Sequence, residues 1–92
     1  MKIKILTPES LIFEGEVHSI LLPGEKGDFH IMKNHASIIS TLKEGYVRIF
    51  AENVPLEYLG NFEHTDSAEF LYKIKSGVVE FDKDNGVILC EV

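Results

Sequence analysis

Two apolar runs near the C-terminus, Val78-Val79-Glu80-Phe81-Asp82 and Val87-Ile88-Leu89-Cys90-Glu91-Val92, are separated only by Lys83-Asp84-Asn85-Gly86. Paired runs of this length around a short polar gap read as a β-hairpin. Asn-Gly supplies two residues that tolerate positive φ, so the spacing predicts a type I′ turn at Asn85-Gly86. The rest of the chain repeats the same grammar of short apolar runs closed by turn residues. Lys2-Ile3-Lys4-Ile5 alternates with the period of a half-buried strand, and Pro8 ends it. Leu11-Ile12-Phe13 leads into Glu14-Gly15-Glu16, and His18-Ser19-Ile20-Leu21-Leu22 is stopped by Pro23-Gly24. Phe29 and Ile31 share one face of the next strand, with Asp28, His30 and Met32 on the other.

Residues 36–42 fit two periods, since Ala36, Ile39 and Leu42 also match a helical stripe. Their β-branched content and the closing Gly45 favour a strand. Tyr46-Val47-Arg48-Ile49-Phe50 is a clearer strand, and so is Phe70, Tyr72 and Ile74 alternating with Leu71, Lys73 and Lys75. Residues 51–69 are the least regular, with Leu56-Glu57-Tyr58-Leu59 either an added strand or part of a loop. About eight to ten short strands with turn signals roughly every ten residues, and no convincing helix, predict an all-β fold. The expectation is a flattened antiparallel sandwich or barrel, in one domain over residues 1–92 and with no C-terminal helical hairpin.

Size and charge narrow the function. A chain of 92 residues with 45% hydrophobic and 26% charged residues is globular in composition. No run of about 18 apolar residues exists to cross a membrane as a helix. The apolar stretch before Thr7-Pro8 is too short for a signal peptide, so the cytoplasm is the expected compartment. A formal charge of −6 argues against nucleic acid and anionic lipid as partners. Cys90 is the only cysteine, which leaves no intrachain disulfide and no cysteine-based zinc site.

Enzyme chemistry finds little to work with. His30 and His35 lie near Asp28, but ligands on one strand face need even spacing, and no His-x-His pair occurs among His18, His30, His35 and His64. Ser37, Ser40 and Thr41 lie near His35 without a nucleophile elbow. Gly24 and Gly27 lack the following Lys-Ser/Thr of a phosphate loop and instead permit the turn. The acidic pairs Glu14/Glu16 and Glu52/Glu57 read as solvated charges on loops and outward faces. No catalytic residue, metal or cofactor is expected. Binding is the other class: Asn34-His35-Ala36-Ser37 sets polar groups beside an apolar run. Ile38 and Ile39 are adjacent, so in a strand at least one points away from the core, as in a docking surface.

Motif order adds a specific likeness. Thr7-Pro8-Glu9 comes first, then Phe13-Glu14-Gly15-Glu16-Val17, then Leu22-Pro23-Gly24-Glu25-Lys26-Gly27-Asp28-Phe29. His35-Ala36, Leu42-Lys43-Glu44-Gly45, Gly77-Val78-Val79-Glu80-Phe81 and Asn85 complete the series. In order and spacing, over nearly the whole chain, this resembles the N-terminal beta-sandwich domain of the epsilon subunit of the rotary ATP synthase (delta in mitochondrial naming). The resemblance implies a flattened sandwich of about ten strands. It also implies a non-catalytic place on the central stalk, held to the gamma subunit and to the membrane-embedded c-ring, where rotation couples ion flow to ATP synthesis. The implied location is peripheral, on the cytoplasmic face of the inner membrane.

Position by position, the resemblance assigns Glu25, Lys26, Gly27, Asp28 and His30 to the c-ring contact. It assigns Thr7, His35, Ser37 and Ser40 to the gamma contact. Three departures stand out. Lys33-Asn34 replaces the family's usual Pro-Gly, so that corner turns by other means, and Asn34 tolerates the left-handed region. Ser37 stands where a proline often follows His-Ala. The chain stops at Val92, where most relatives continue into a two-helix domain, so a rotor clamp without the helical brake or its ATP sensor is expected. The alternative is a stand-alone sugar- or metal-binding sandwich, including a small cupin-like enzyme, which a metal assay on the purified protein separates from a rotor subunit.

Overall fold

Strand alternation is carried through with few exceptions. The computed structural model describes residues 1–64 and 68–92. Among the described residues the elements run β1 (Lys2–Leu6), β2 (Leu11–Glu16), β3 (Ser19–Gly24), β4 (Gly27–Met32), β5 (Ile38–Leu42), β6 (Gly45–Phe50), α1 (Leu56–Leu59), β7 (Glu63–His64), β8 (Glu69–Ile74), β9 (Ser76–Asp82) and β10 (Asn85–Glu91). Hydrogen bonding orders them as β2-β1-β10-β9-β5 and β4-β3-β6-β8-β7. The two halves meet where Gly24 of β3 pairs with Leu42 of β5. A joint only one residue pair wide lets the sheet turn a corner, and both halves then bury side chains in one core. Ile3, Ile5, Val79, Phe81 and Ile88 come from the first half, and Ile20, Leu22, Ile31, Val47, Ile49 and Ile74 from the second.

Residues 36–42 resolve to a strand over Ile38–Leu42, because pairing with β9 in a continuous antiparallel register outweighs a stripe too short for a helix. Four sequence expectations need correction. The sheet is not purely antiparallel, since β1 pairs with β10 in parallel, Ile5 opposite Ile88. β3 does not stop before Pro23-Gly24 but runs through both, pairing Pro23 with Asp28 while the Pro23 carbonyl accepts from Lys43 N–H at 2.8 Å. Leu56–Leu59 is a single helical turn, opened by Pro55, whose carbonyl accepts from Tyr58 N–H at 2.9 Å. The fourth concerns the C-terminal hairpin. Asp82 pairs with Asn85, so the turn residues are Lys83 and Asp84, at φ 50° and 60°, in the positive-φ pair that a type I′ turn needs.

Gly86 is therefore a strand residue, and its missing side chain serves packing. A Cβ there would lie 2.8 Å from Ile3 Cδ1 and 3.1 Å from Phe81 Cδ1. The glycine lets these two large core residues close over β10. Gly86→Val is expected to cost about 1–3 kcal/mol through overpacking, read as a lower urea midpoint with an unchanged slope.

The edge of β2 is closed by the segment that follows β6. The register slips between Ile5 and Leu6, so Ile12 is an extra residue and both Ile12 and Phe13 turn inward. The Phe13 ring meets Tyr58 and Phe62 edge to face at 5.8 and 5.9 Å, and Asn61 Nδ2 donates to the Ile12 carbonyl at 3.0 Å. Residues 58–62 thereby cover the edge strand that would otherwise stand open.

Candidate docking surfaces

The β3–β4 turn is built to project. Gly24 pairs with Gly27, leaving Glu25 and Lys26 at the tip, and Gly27 takes the left-handed backbone at φ 125°. A Cβ at Gly24 would sit 2.7 Å from the Gly27 carbonyl oxygen and from the Phe29 ring, so the two strands close only without one. Glu25, Lys26, Gly27 and Asp28 are all exposed. His30 is not part of that tip. It lies farther along β4, where Nε2 is 2.9 Å from Ser19 Oγ and the ring packs 5.5 Å from Phe50. The resemblance groups it with the turn residues, and its place on β4 agrees with the strand expected there from alternation.

The residues assigned to the other partner spread along the first half of the sheet. Thr7 closes a turn after β1, with Ser10 N–H donating to its Oγ1 at 3.1 Å. His35 and Ser37 lie at the opposite end of β5, beside the β9–β10 turn. There the His35 ring meets Phe81 edge-on at 6.1 Å and Nδ1–H donates to the Ala36 carbonyl at 2.6 Å. Ser40 differs from the others. It pairs with fully buried Val79 and alternates with buried Leu42, so it faces inward and is half-buried.

Between Thr7 and Ser37 the outer face carries apolar rows of which the sequence reading singled out only the Ile38–Ile39 end. Leu6 pairs with Leu89, Leu89 with Val78, and Val78 with Thr41. In the next row Val87 pairs with Glu80, and Glu80 with Ile39. Leu89 is 51% exposed and Ile39 is 72% exposed, while Ile88 beside Leu89 is buried and Ile38 and Ser40 beside Ile39 are half-buried. The signal was in the sequence, because Val87-Ile88-Leu89-Cys90 is apolar on both strand faces. At one end this row opens into a groove of about 610 Å³, lined among others by Thr7, Pro8, Glu25, Thr41, Val78 and Leu89. Thr7 and Glu25, assigned to different partners, thus share one groove.

Chemistry beyond contact is sparse. Among the described residues no three of the His, Cys, Asp and Glu side chains gather as a metal-holding group. His18 faces Glu52 at 3.8 Å, and His64 packs 5.7 Å from the Phe70 ring. Cys90 is buried with Sγ 3.5 Å from the Leu6 carbonyl, and burial pushes its thiol up to about 11. The folded chain therefore holds its thiol proton where the unfolded chain releases it. Stability is expected to fall as pH rises from about 9 through 11. At pH 8 a thiol reagent should react with Cys90 only as fast as the fold opens, and at once in urea.

The family described as ATP synthase, Delta/Epsilon chain, beta-sandwich domain matches residues 1–92. The chain belongs to this family. The ATP synthase epsilon chain of Chlorobium limicola is 34% identical over 98% of this chain and 88% of its own length. That of Sulfurimonas denitrificans is also 34% identical, over 99% of this chain but 60% of its own. That of Nitratiruptor is 49% identical over 53% of this chain and 38% of its own length, so the matches span less than two thirds of two of these relatives. Among solved structures, a chain from the central stalk/c-ring of the Tetrahymena thermophila mitochondrial ATP synthase superposes with a TM-score of 0.70. It is 18% identical and covers 99% of this chain and 63% of that one, a likeness of fold. The family's sandwich is thus the fold seen here, a nearly all-β sheet curled at one corner.

Proposed function

We propose that this chain is a non-catalytic central-stalk subunit of an F-type ATP synthase, gripping the gamma subunit with one surface and the c-ring with another. The observation that carries the reading is the outer face of the first sheet half. A strand whose inner face already fills the core has no folding reason to keep Leu89, Val87 and Ile39 exposed on the other. On this reading gamma packs over that row between Thr7 and the His35–Ser37 corner, with Ser40 supporting it from beneath. The ring's polar loops meet Glu25, Lys26 and Asp28 at the projecting turn, with Gly27 giving the turn its shape and His30 behind it on β4.

The mechanical demand on such a part is stiffness. A sheet whose halves share one core resists bending between two grips, so torque passes from ring to gamma without slack. The complex lies at the cytoplasmic face of the membrane through its ring, and the chain itself carries no nucleotide chemistry in this role. Co-expression of the tagged chain with gamma from the same genome tests the reading. A stable one-to-one complex on size exclusion is expected, and a chain that elutes alone at micromolar concentration would overturn it.

A further inference from the structure

The corner that carries His35 and Ser37, residues 33–37, contains neither proline nor glycine. Asn34 nonetheless sits at φ 67°, in the left-handed region, and exposed backbone of this composition has little local reason to hold one shape. Besides the local turn bond from His35 N–H to the Met32 carbonyl, what holds it comes from far along the chain. Asp84 Oδ1 accepts the Asn34 backbone N–H at 2.8 Å, across 50 residues of sequence. The Ser37 hydroxyl donates to Asp82 Oδ1, across 45 residues. Between these two bonds the His35 ring rests edge-on against Phe81, and His35 N–H donates to the Met32 carbonyl at 3.0 Å.

Asp82 and Asp84 bracket Lys83 at the type I′ turn, Asp82 as the last residue of β9 and Asp84 within the turn. Each holds one end of the corner. We infer that Asp82 and Asp84 are positioning residues, which hold the His35–Ser37 corner in the shape that the gamma subunit docks against. This rests on the rotor-subunit reading. The turn is in effect a two-point clamp: Asp84 fixes the backbone at the start of the corner and Asp82 fixes the side chain at its end. Without it the corner must be ordered at the moment of binding, and affinity falls by that cost.

The left-handed turn position separates the carboxylate from the backbone. Asp84→Gly keeps the favourable backbone and removes the acceptor, whereas Asp84→Asn keeps both. Asp82→Ala removes the second acceptor, and Asp82→Asn retains one. The readouts are amide hydrogen exchange at Asn34 and His35 in the full chain and affinity for purified gamma. Asp84→Gly combined with Asp82→Ala is expected to speed exchange at both amides and weaken gamma binding about tenfold. The paired asparagine variant is expected to restore wild-type values, as loss of charge alone would not predict. Faster exchange with unchanged affinity, or unchanged exchange, would overturn the inference while leaving the rotor-subunit reading in place. A wild-type chain that ignores gamma would overturn both, even if exchange at the corner responds as described.

Discussion

Phe13→Ala is expected to be the most damaging single truncation, costing about 3–5 kcal/mol. Phe13 has no exposed surface, and its ring is the meeting point of β2, Tyr58 and Phe62. Removing it leaves a cavity and unseats the segment that closes the β2 edge. A chain this small sits toward the low end of the usual range of about 5–15 kcal/mol, so the loss takes a large share of its stability. At about 4–8 °C per kcal/mol, the melting temperature should fall by well over 10 °C. Thermal melts followed by far-UV dichroism check this. A fall of less than about 5 °C would mean that the Tyr58–Phe62 segment is anchored elsewhere.

Leu89→Arg is expected to do the opposite, leaving the fold intact and weakening docking severely. Leu89 lies mid-row between Leu6 and Val78 on the outer face, and a guanidinium there reaches water in the free chain at little cost. Against a partner it places an unpaired charge in the centre of an apolar contact. A loss of roughly 100-fold in gamma affinity follows, as for a central hot spot. Leu56→Arg is the matched control, since Leu56 is 86% exposed on α1 and lies outside that row. It should bind gamma as wild type does. Equal losses in both variants, or in neither, would remove the outer row of β10 and β9 from the docking surface.

Local pattern carried the sequence reading a long way. Alternation in Lys2-Ile3-Lys4-Ile5 and in Phe70, Tyr72 and Ile74 placed Ile3, Ile5, Phe70 and Ile74 in the core and Tyr72 half-buried against it, because a half-buried strand has one period and one register. Where neighbours in space decided the outcome, local pattern failed. Asn85-Gly86 is the strongest turn dipeptide in the chain, yet the core's need for Ile3 and Phe81 to close over Gly86 draws it into the strand, and Lys83-Asp84 take the turn.

Sites followed the same division. The projecting turn at Glu25 and Lys26 was legible because Gly24 and Gly27 flank it directly in sequence. The inward face of Ser40 needed the partner strand to be known. The hold of Asp82 and Asp84 on residues 34–37 spans 45 to 50 residues and leaves no trace in any local window.

Ion pumping driven by ATP hydrolysis tests the central claim most directly. Membranes carrying the parent enzyme assembled without this chain would be compared with the same membranes after the purified chain is added back. The account predicts hydrolysis with little pumping in its absence, and pumping restored by the wild-type chain but not by Leu89→Arg. Pumping that is equally strong with and without the chain would contradict it.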